Sequence, residues 1–191
     1  MKLMIKSPLL LLVLSGCGAS QGTQPNSSSE GEPTGESVER LTEGGLTLVE
    51  VDHNSDGRAE IYNYYRERSQ AERLLVRREA DLNQDGRIDI WSFYDESGSV
   101  NQEKMDGDFD GNADWVDHYQ GGKRTLSEVD TNSDGVFDLF KYFVDGKLVR
   151  KERDTSNNGK VDLWELYENG KVVKAGRDTS GDGNIDIKIE R

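Results

Sequence analysis

The apolar residues of this chain fall in short strand-like runs that recur along residues 41–191, separated by acidic stretches that each carry a glycine. Number each repeat from the first Asp of its acidic stretch: Asp52, Asp81, Asp106, Asp130, Asp154 and Asp178. Positions 8 and 10 are then apolar, as in Ile88 and Ile90, Val161 and Leu163, Ile185 and Ile187. Position 12 is usually polar, and position 14 is aromatic in five copies, as Tyr65, Tyr94, Tyr119, Phe143 and Tyr167. That period of two predicts a half-buried strand. The opposite face of the same strand carries Tyr62, Trp91, Phe140 and Trp164, which read first as a core stripe and second as a stacking platform for sugars.

After each strand comes a turn dipeptide, Ser97-Gly98, Gly121-Gly122, Asp145-Gly146 or Asn169-Gly170. Asn-Gly and Asp-Gly are strong hairpin signals. The following segment, such as residues 147–153, is polar on at least one face, as suits a sheet partly facing water. The unit is therefore loop, strand, tight turn, strand, and it is copied in tandem at intervals of 29, 25, 24, 24 and 24 residues. The expected fold is all-β, a tandem array of antiparallel β-hairpin repeats with the acidic loops in a row along one edge. Leu46 to Val51 is the expected leading strand and Ile185 to Glu190 the last. An open meander, a rolled sheet and a propeller all satisfy this pattern. The longer first interval implies an extended hairpin around Arg66 to Arg73, a place for something beyond structure.

Composition sharpens the picture. The 191 residues carry a formal net charge of −13 with 33% hydrophobic content, and about half of the 37 Asp and Glu lie in the six loops. Each loop reads approximately D-x-[N/D]-x-D-G-x-[apolar]-[D/E], with oxygen ligands at positions 1, 3, 5 and 9 and a main-chain carbonyl at 7. Calcium takes six to eight hard oxygens, and this spacing supplies them. The candidate ligands are Asp52, Asn54, Asp56, Arg58 and Glu60; Asp81, Asn83, Asp85, Arg87 and Asp89; and Asp106, Asp108, Asp110, Asn112 and Asp114. The later loops offer Asp130, Asn132, Asp134, Val136 and Asp138; Asp154, Ser156, Asn158, Lys160 and Asp162; and Asp178, Ser180, Asp182, Asn184 and Asp186. Position 6 is glycine in all six. Up to six Ca2+ ions are expected, tightest in the all-aspartate loop three and weakest in loop five.

These loops resemble those of EF-hands, thrombospondin type 3 repeats and the calcium hairpins of integrin-like propellers. The EF-hand pattern departs at position 12, where a bidentate Glu belongs and this chain has Asn63, Ser92, Asp117, Lys141, Glu165 and Ile189. Position 9 must close each site. Affinity is then expected in the range of extracellular modules, about 10⁻⁴–10⁻³ M.

At the N-terminus, Lys2 and Lys6 precede the apolar run Leu9 to Leu14, and Leu14-Ser15-Gly16-Cys17 follows. The run falls well short of the roughly 20 residues that cross a bilayer. The segment resembles the lipobox of a bacterial lipoprotein precursor, which implies cleavage of residues 1–16 and lipidation at Cys17. In the lipoproteins it resembles, a residue other than Asp after that Cys favours the outer membrane, and here it is Gly18. Residues 17–40, rich in Ser, Gly, Gln, Pro and Glu, read as a tether that cannot bury enough surface to fold. Cys17 is the sole cysteine, so no intramolecular disulfide is available and metal is the obvious staple.

Catalytic signals are thin. His53 lies in loop one and His118 on a strand, and no phosphate loop or nucleophile elbow occurs. The acidic balance argues against nucleic acid or anionic lipid as direct ligands. The sequence is read as a non-enzymatic, calcium-binding, lipid-anchored cell-envelope scaffold with a protein or polysaccharide partner. A metal-independent spacer and a carbohydrate-binding protein are the alternatives.

Overall fold

A computed structural model describes residues 36–69 and 72–190. They form one open antiparallel sheet of 13 strands in which spatial order equals chain order. The strands are β1 Glu36–Leu41, β2 Thr47–Asp52, β3 Ile61–Ser69, β4 Glu72–Ala80, β5 Ile90–Tyr94, β6 Val100–Met105 and β7 Trp115–Gln120. They continue with β8 Lys123–Val129, β9 Leu139–Val144, β10 Lys147–Arg153, β11 Leu163–Glu168, β12 Lys171–Arg177 and β13 Ile187–Glu190. The architecture is thus the expected all-β hairpin meander, and it is open rather than closed into a barrel. No helix occurs among the described residues.

The first strand differs from expectation. The sheet opens with β1 at Glu36, inside the segment read as tether, and the strand expected to lead is β2. Every residue of β1 is exposed, so it joins through backbone bonds to β2, in register from Glu36 opposite Asp52 to Leu41 opposite Thr47. Such a strand buries no apolar stripe, and composition gives no sign of it. Cys17 and the rest of the proposed tether lie outside the described residues. The extended first hairpin is present: β3 and β4 are the longest strands, and Arg66 and Arg68 both pair with Glu96 across to the next turn.

Tight turns close one end of the sheet. Asp145-Gly146 and Asn169-Gly170 have positive φ at both central residues, 50° and 73°, then 51° and 75°. That is the turn type whose twist matches paired strands. A feature invisible in the pattern recurs beside the position-14 aromatics. In all five hairpins from β3–β4 to β11–β12 the register slips by one residue there, so that Val76, Asn101, Thr125, Val149 and Val173 each bulge. A bulge increases local right-handed twist.

Each strand packs only on its neighbours in sequence, with no second layer among the described residues. The consequence is an unusual interior. Among the described residues only Leu48, Val51, Leu74 and Val116 are buried apolar side chains, whereas eight of the buried polar residues are loop carboxylates. On the first face, position-11 residues Tyr62, Trp91, Val116, Phe140 and Trp164 alternate with Glu79, Lys104, Glu128 and Glu152 of the intervening strands. These aromatic rings are half-buried rather than sealed in a core. In the adjoining row, Arg77 lies over Tyr64 at 3.8 Å and Arg150 over Tyr142 at 3.9 Å, so long cationic side chains supply part of the missing cover.

The second face carries an apolar row beside the loops, including Val51, Ile61, Ile90, Val129, Leu139 and Leu163, and then the position-12 residues. Around β7 and β8 that polar row is satisfied internally. Asp117 accepts from Trp115 Nε1 at 2.8 Å and from the fully buried Ser127, while Tyr119 donates to Glu103 at 2.9 Å. Burial first, and then the Glu103 carboxylate, push the Tyr119 hydroxyl up to about 12.

Stability should therefore concentrate away from the last strand. Replacing the buried Leu48 by Ala is expected to cost about 2 kcal/mol in urea unfolding, the lower end for a deleted core leucine. Ile189→Ala on β13, whose side chain is 49% exposed, should change stability by less than about 0.5 kcal/mol.

Candidate metal loops along one end of the sheet

All six acidic loops lie at the strand ends opposite the tight turns, connecting β2–β3, β4–β5, β6–β7, β8–β9, β10–β11 and β12–β13. Successive loops are two strands apart, hence about 10 Å. Their backbones are also linked. The amide of position 1 in each later loop donates to the carbonyl of position 9 in the loop before: Asp81 to Glu60, Asp106 to Asp89, Asp130 to Asp114, Asp154 to Asp138 and Asp178 to Asp162, at 2.8–3.0 Å.

Two carboxylates organise each loop. The position-1 aspartate reaches across to accept from the amide of the position-6 glycine, at 2.6–2.8 Å in Gly57, Gly86, Gly111, Gly135, Gly159 and Gly183. Its other oxygen accepts from position 4 in Ser55, Gln84, Phe109 and Gly181, or from position 3 in Asn132 and Ser156. The position-9 carboxylate caps the start of the loop through the amides of His53, Leu82, Gly107, Thr131, Thr155 and Thr179. These groups lie deep for acids: Asp89 and Asp106 are each 1% exposed. A buried charge needs several hydrogen bonds to persist, and the loop backbone provides them.

The remaining candidate ligands form a shorter chain. Position-3 side chains of Asn54, Asn83, Asp108 and Asn132 accept from the amides of Asp56, Asp85, Asp110 and Asp134. Position-5 side chains accept from the position-7 amides of Arg58, Arg87, Asn112, Val136, Lys160 and Asn184. The chain must turn left-handed at position 4, with φ of 63° at Ser55, 62° at Gln84, 65° at Phe109, 58° at Ser133 and 55° at Asn157. Position 6 is tighter still, and the φ of 98° at Gly111 explains why no side chain appears there.

Carboxylates of three residues converge in two loops. The oxygens of Asp52, Asp56 and Glu60, and those of Asp106, Asp108 and Asp114, each lie within 4.8 Å of one another. Elsewhere Asn and Ser at positions 3 or 5 thin the acidic set, most of all in loop five with Ser156 and Asn158. Position 2 was not singled out from sequence, yet Thr131, Thr155 and Thr179 donate their hydroxyls to the position-9 carboxylates at 2.7–2.8 Å. The signal was present as Thr in three consecutive copies.

His118, one of the two histidines, lies between Gln102 and Glu128, with Nε2 2.7 Å from the Glu128 carboxylate. Its surroundings are those of a packed strand residue. Comparison with known proteins adds little to this geometry. No protein-family model and no curated protein matches the chain. Among solved structures, a S. aureus TarM point mutant in complex with fondaparinux, α-GlcNAc-glycerol and UDP aligns at 12% identity with a TM-score of 0.29. That alignment covers 74% of this chain and 21% of the other, a likeness too slight to carry fold or function.

Electrostatics set an acid limit. At Asp130, Asp154 and Asp178 burial alone would raise the carboxyl pKa, but bonds from the loop amides outweigh it and hold each below the usual aspartate value. A depressed folded value stabilises the native state above the unfolded pKa, near 3.9, and the contribution disappears as pH falls through the folded values. Acid unfolding in metal-free buffer is therefore expected to begin below about pH 4, followed by circular dichroism, with a flat profile between pH 5 and 8. Asp106→Ala, which strands the amides of Phe109 and Gly111, should cost about 2–3 kcal/mol in urea. Ser156→Ala should cost under about 1 kcal/mol in the same assay, since it deletes one exposed-loop hydroxyl.

Proposed function

We propose that this chain is a calcium-stabilised, lipid-anchored scaffold of the cell envelope, with no catalytic role of its own. The observation that carries this reading is the pairing of position-1 and position-9 carboxylates at six equivalent strand ends, brought to three converging carboxylates in loops one and three. The residues suit a hard divalent cation. A carboxylate offers about four acceptor sites, and the backbone bonds described above occupy only some of them. Asp106, Asp108 and Asp114, with Asp110, would hold the first ion, and Asp52, Asp56 and Glu60 the second. Loops two, four and six would need Asn or Ser oxygens and main-chain carbonyls, and loop five would fill last.

The cation would replace repulsion among clustered acids with attraction in a sheet that has four buried apolar side chains among its described residues. Lipidation at Cys17 and anchoring in the outer membrane would follow from the lipobox resemblance, with the periplasmic and surface faces both open to it. A protein or polysaccharide of the envelope would then meet the two open faces of the sheet, as extended repeat surfaces commonly serve.

The test is a thermal melt of residues 18–191 with EDTA, with millimolar CaCl2 and with millimolar MgCl2, followed by calorimetric counting of ions. A ligand present at a hundred times its Kd stabilises by about 2.7 kcal/mol per site. A calcium-selective rise with two or more ions bound is expected, and Asp106→Asn combined with Asp114→Asn should remove the tightest of them. Equal melting temperatures in EDTA and CaCl2, with no heat of binding, would falsify the calcium reading and leave a metal-independent spacer.

A further inference from the structure

On the second face, Lys141 of β9 stands directly opposite Lys151 of β10, and Arg153 lies two residues along, between Leu139 and Leu163. All three are half-buried, and among the described residues none has a carboxylate within ion-pair reach. The Lys141 ammonium sits 4.9 Å from the centre of the Trp115 ring and that of Lys151 5.1 Å from Tyr167. Arg153 Nε is buried with no hydrogen-bond partner.

The nearby acids are already engaged. Asp117 takes the bonds of Trp115 and Ser127 and lies 3.4 Å from Arg124, while Glu165 accepts from Tyr167 at 2.8 Å. Like charges directly opposite on a sheet are destabilising, and a half-buried cation without a partner adds to that cost. Burial first, and then Lys151, hold the Lys141 ammonium below the ordinary lysine value. Glu165 stands opposite Lys151 in register, yet among the described residues no carboxylate comes within ion-pair reach of these three cations. Local conflicts of this kind occur where a structure serves a ligand.

A cleft of about 110 Å³ opens at this point, lined by Leu139, Lys151, Arg153, Leu163 and Glu165. We propose that it binds a phosphate group. The guanidinium of Arg153 offers a planar fork of donors and Lys151 a mobile point charge, with Lys141 adding positive potential from the next strand, a combination suited to a tetrahedral oxyanion. The aliphatic walls Leu139 and Leu163 lower the local dielectric and strengthen that attraction. Free phosphate and a phosphate ester carried on a sugar share this chemistry. The site uses no calcium ligand, so it stands apart from the scaffold reading.

The experiment compares the full chain with Lys141→Gln, Lys151→Gln, Arg153→Gln and the remote control Lys188→Gln, by thermal melts and titration calorimetry. Probes are inorganic phosphate, glucose 6-phosphate and chloride at one ionic strength, with sub-millimolar calcium throughout. Phosphate is expected to saturate one site and raise the melting temperature, with affinity reduced at least about tenfold in Lys151→Gln and Arg153→Gln but not in Lys188→Gln. Without phosphate, Lys141→Gln should melt higher than the native chain, because it removes the opposed charge. Binding of glucose 6-phosphate as well would identify an ester ligand, and binding of inorganic phosphate alone a free anion. The idea fails if phosphate acts no differently from chloride, or if Lys188→Gln loses as much as Lys151→Gln.

Discussion

The bond between an aspartate carboxylate and the amides of its own loop is the interaction on which this sheet depends. Each loop must reverse the chain between adjacent strands, and in doing so it turns several amides inward, away from any strand partner. The position-1 and position-9 carboxylates accept them. Because these acids lie beside the backbone links between successive loops, Asp106 to Asp89 for example, the same bonds that shape one loop also align it with the next. Polar order at the strand ends therefore does work that an apolar core does in two-layer domains.

This division of labour explains the surface of the sheet. With no second layer among the described residues, neither face can be wholly apolar. The first face answers with rings flanked by charged side chains, Tyr64 under Arg77 and Tyr142 under Arg150, each arginine also 3.2 Å from a glutamate on its own strand. The second face places a polar row between two apolar ones and satisfies much of it through Asp117, Tyr119 and Ser127. Around Lys141, Lys151 and Arg153 that internal satisfaction breaks down, which is what sets the patch apart.

Much of the architecture was legible in the sequence because the repeat exposes it several times over. Period-two alternation gave the strands, Asp145-Gly146 and Asn169-Gly170 the turns, and the intact glycine at position 6 the loop geometry. Two features escaped for physical reasons. β1 is held by backbone bonds and by the surface pairs Arg40–Glu50 and Glu39–Arg73 and buries no side chain, so residues 36–41 have no buried apolar stripe to read. Four of the five bulges, at Val76, Thr125, Val149 and Val173, are occupied by β-branched residues of ordinary strand type, only Asn101 departing from it, and a register slip of one leaves no mark in composition. Within the loops, the ligand positions could be named, but the donors that hold them, such as Thr131 and the position-4 amides, follow from backbone conformation.

Contacts confined to chain neighbours have a further consequence for how such a molecule forms and varies. Every pairing joins segments close in sequence, so loop-closure entropy is small at each step and any hairpin can nucleate the rest. No strand must wait for a distant partner. Gain or loss of one unit of 24 residues would lengthen or shorten the sheet by two strands while leaving every other interface as it was, making length itself a heritable quantity that changes in equal steps.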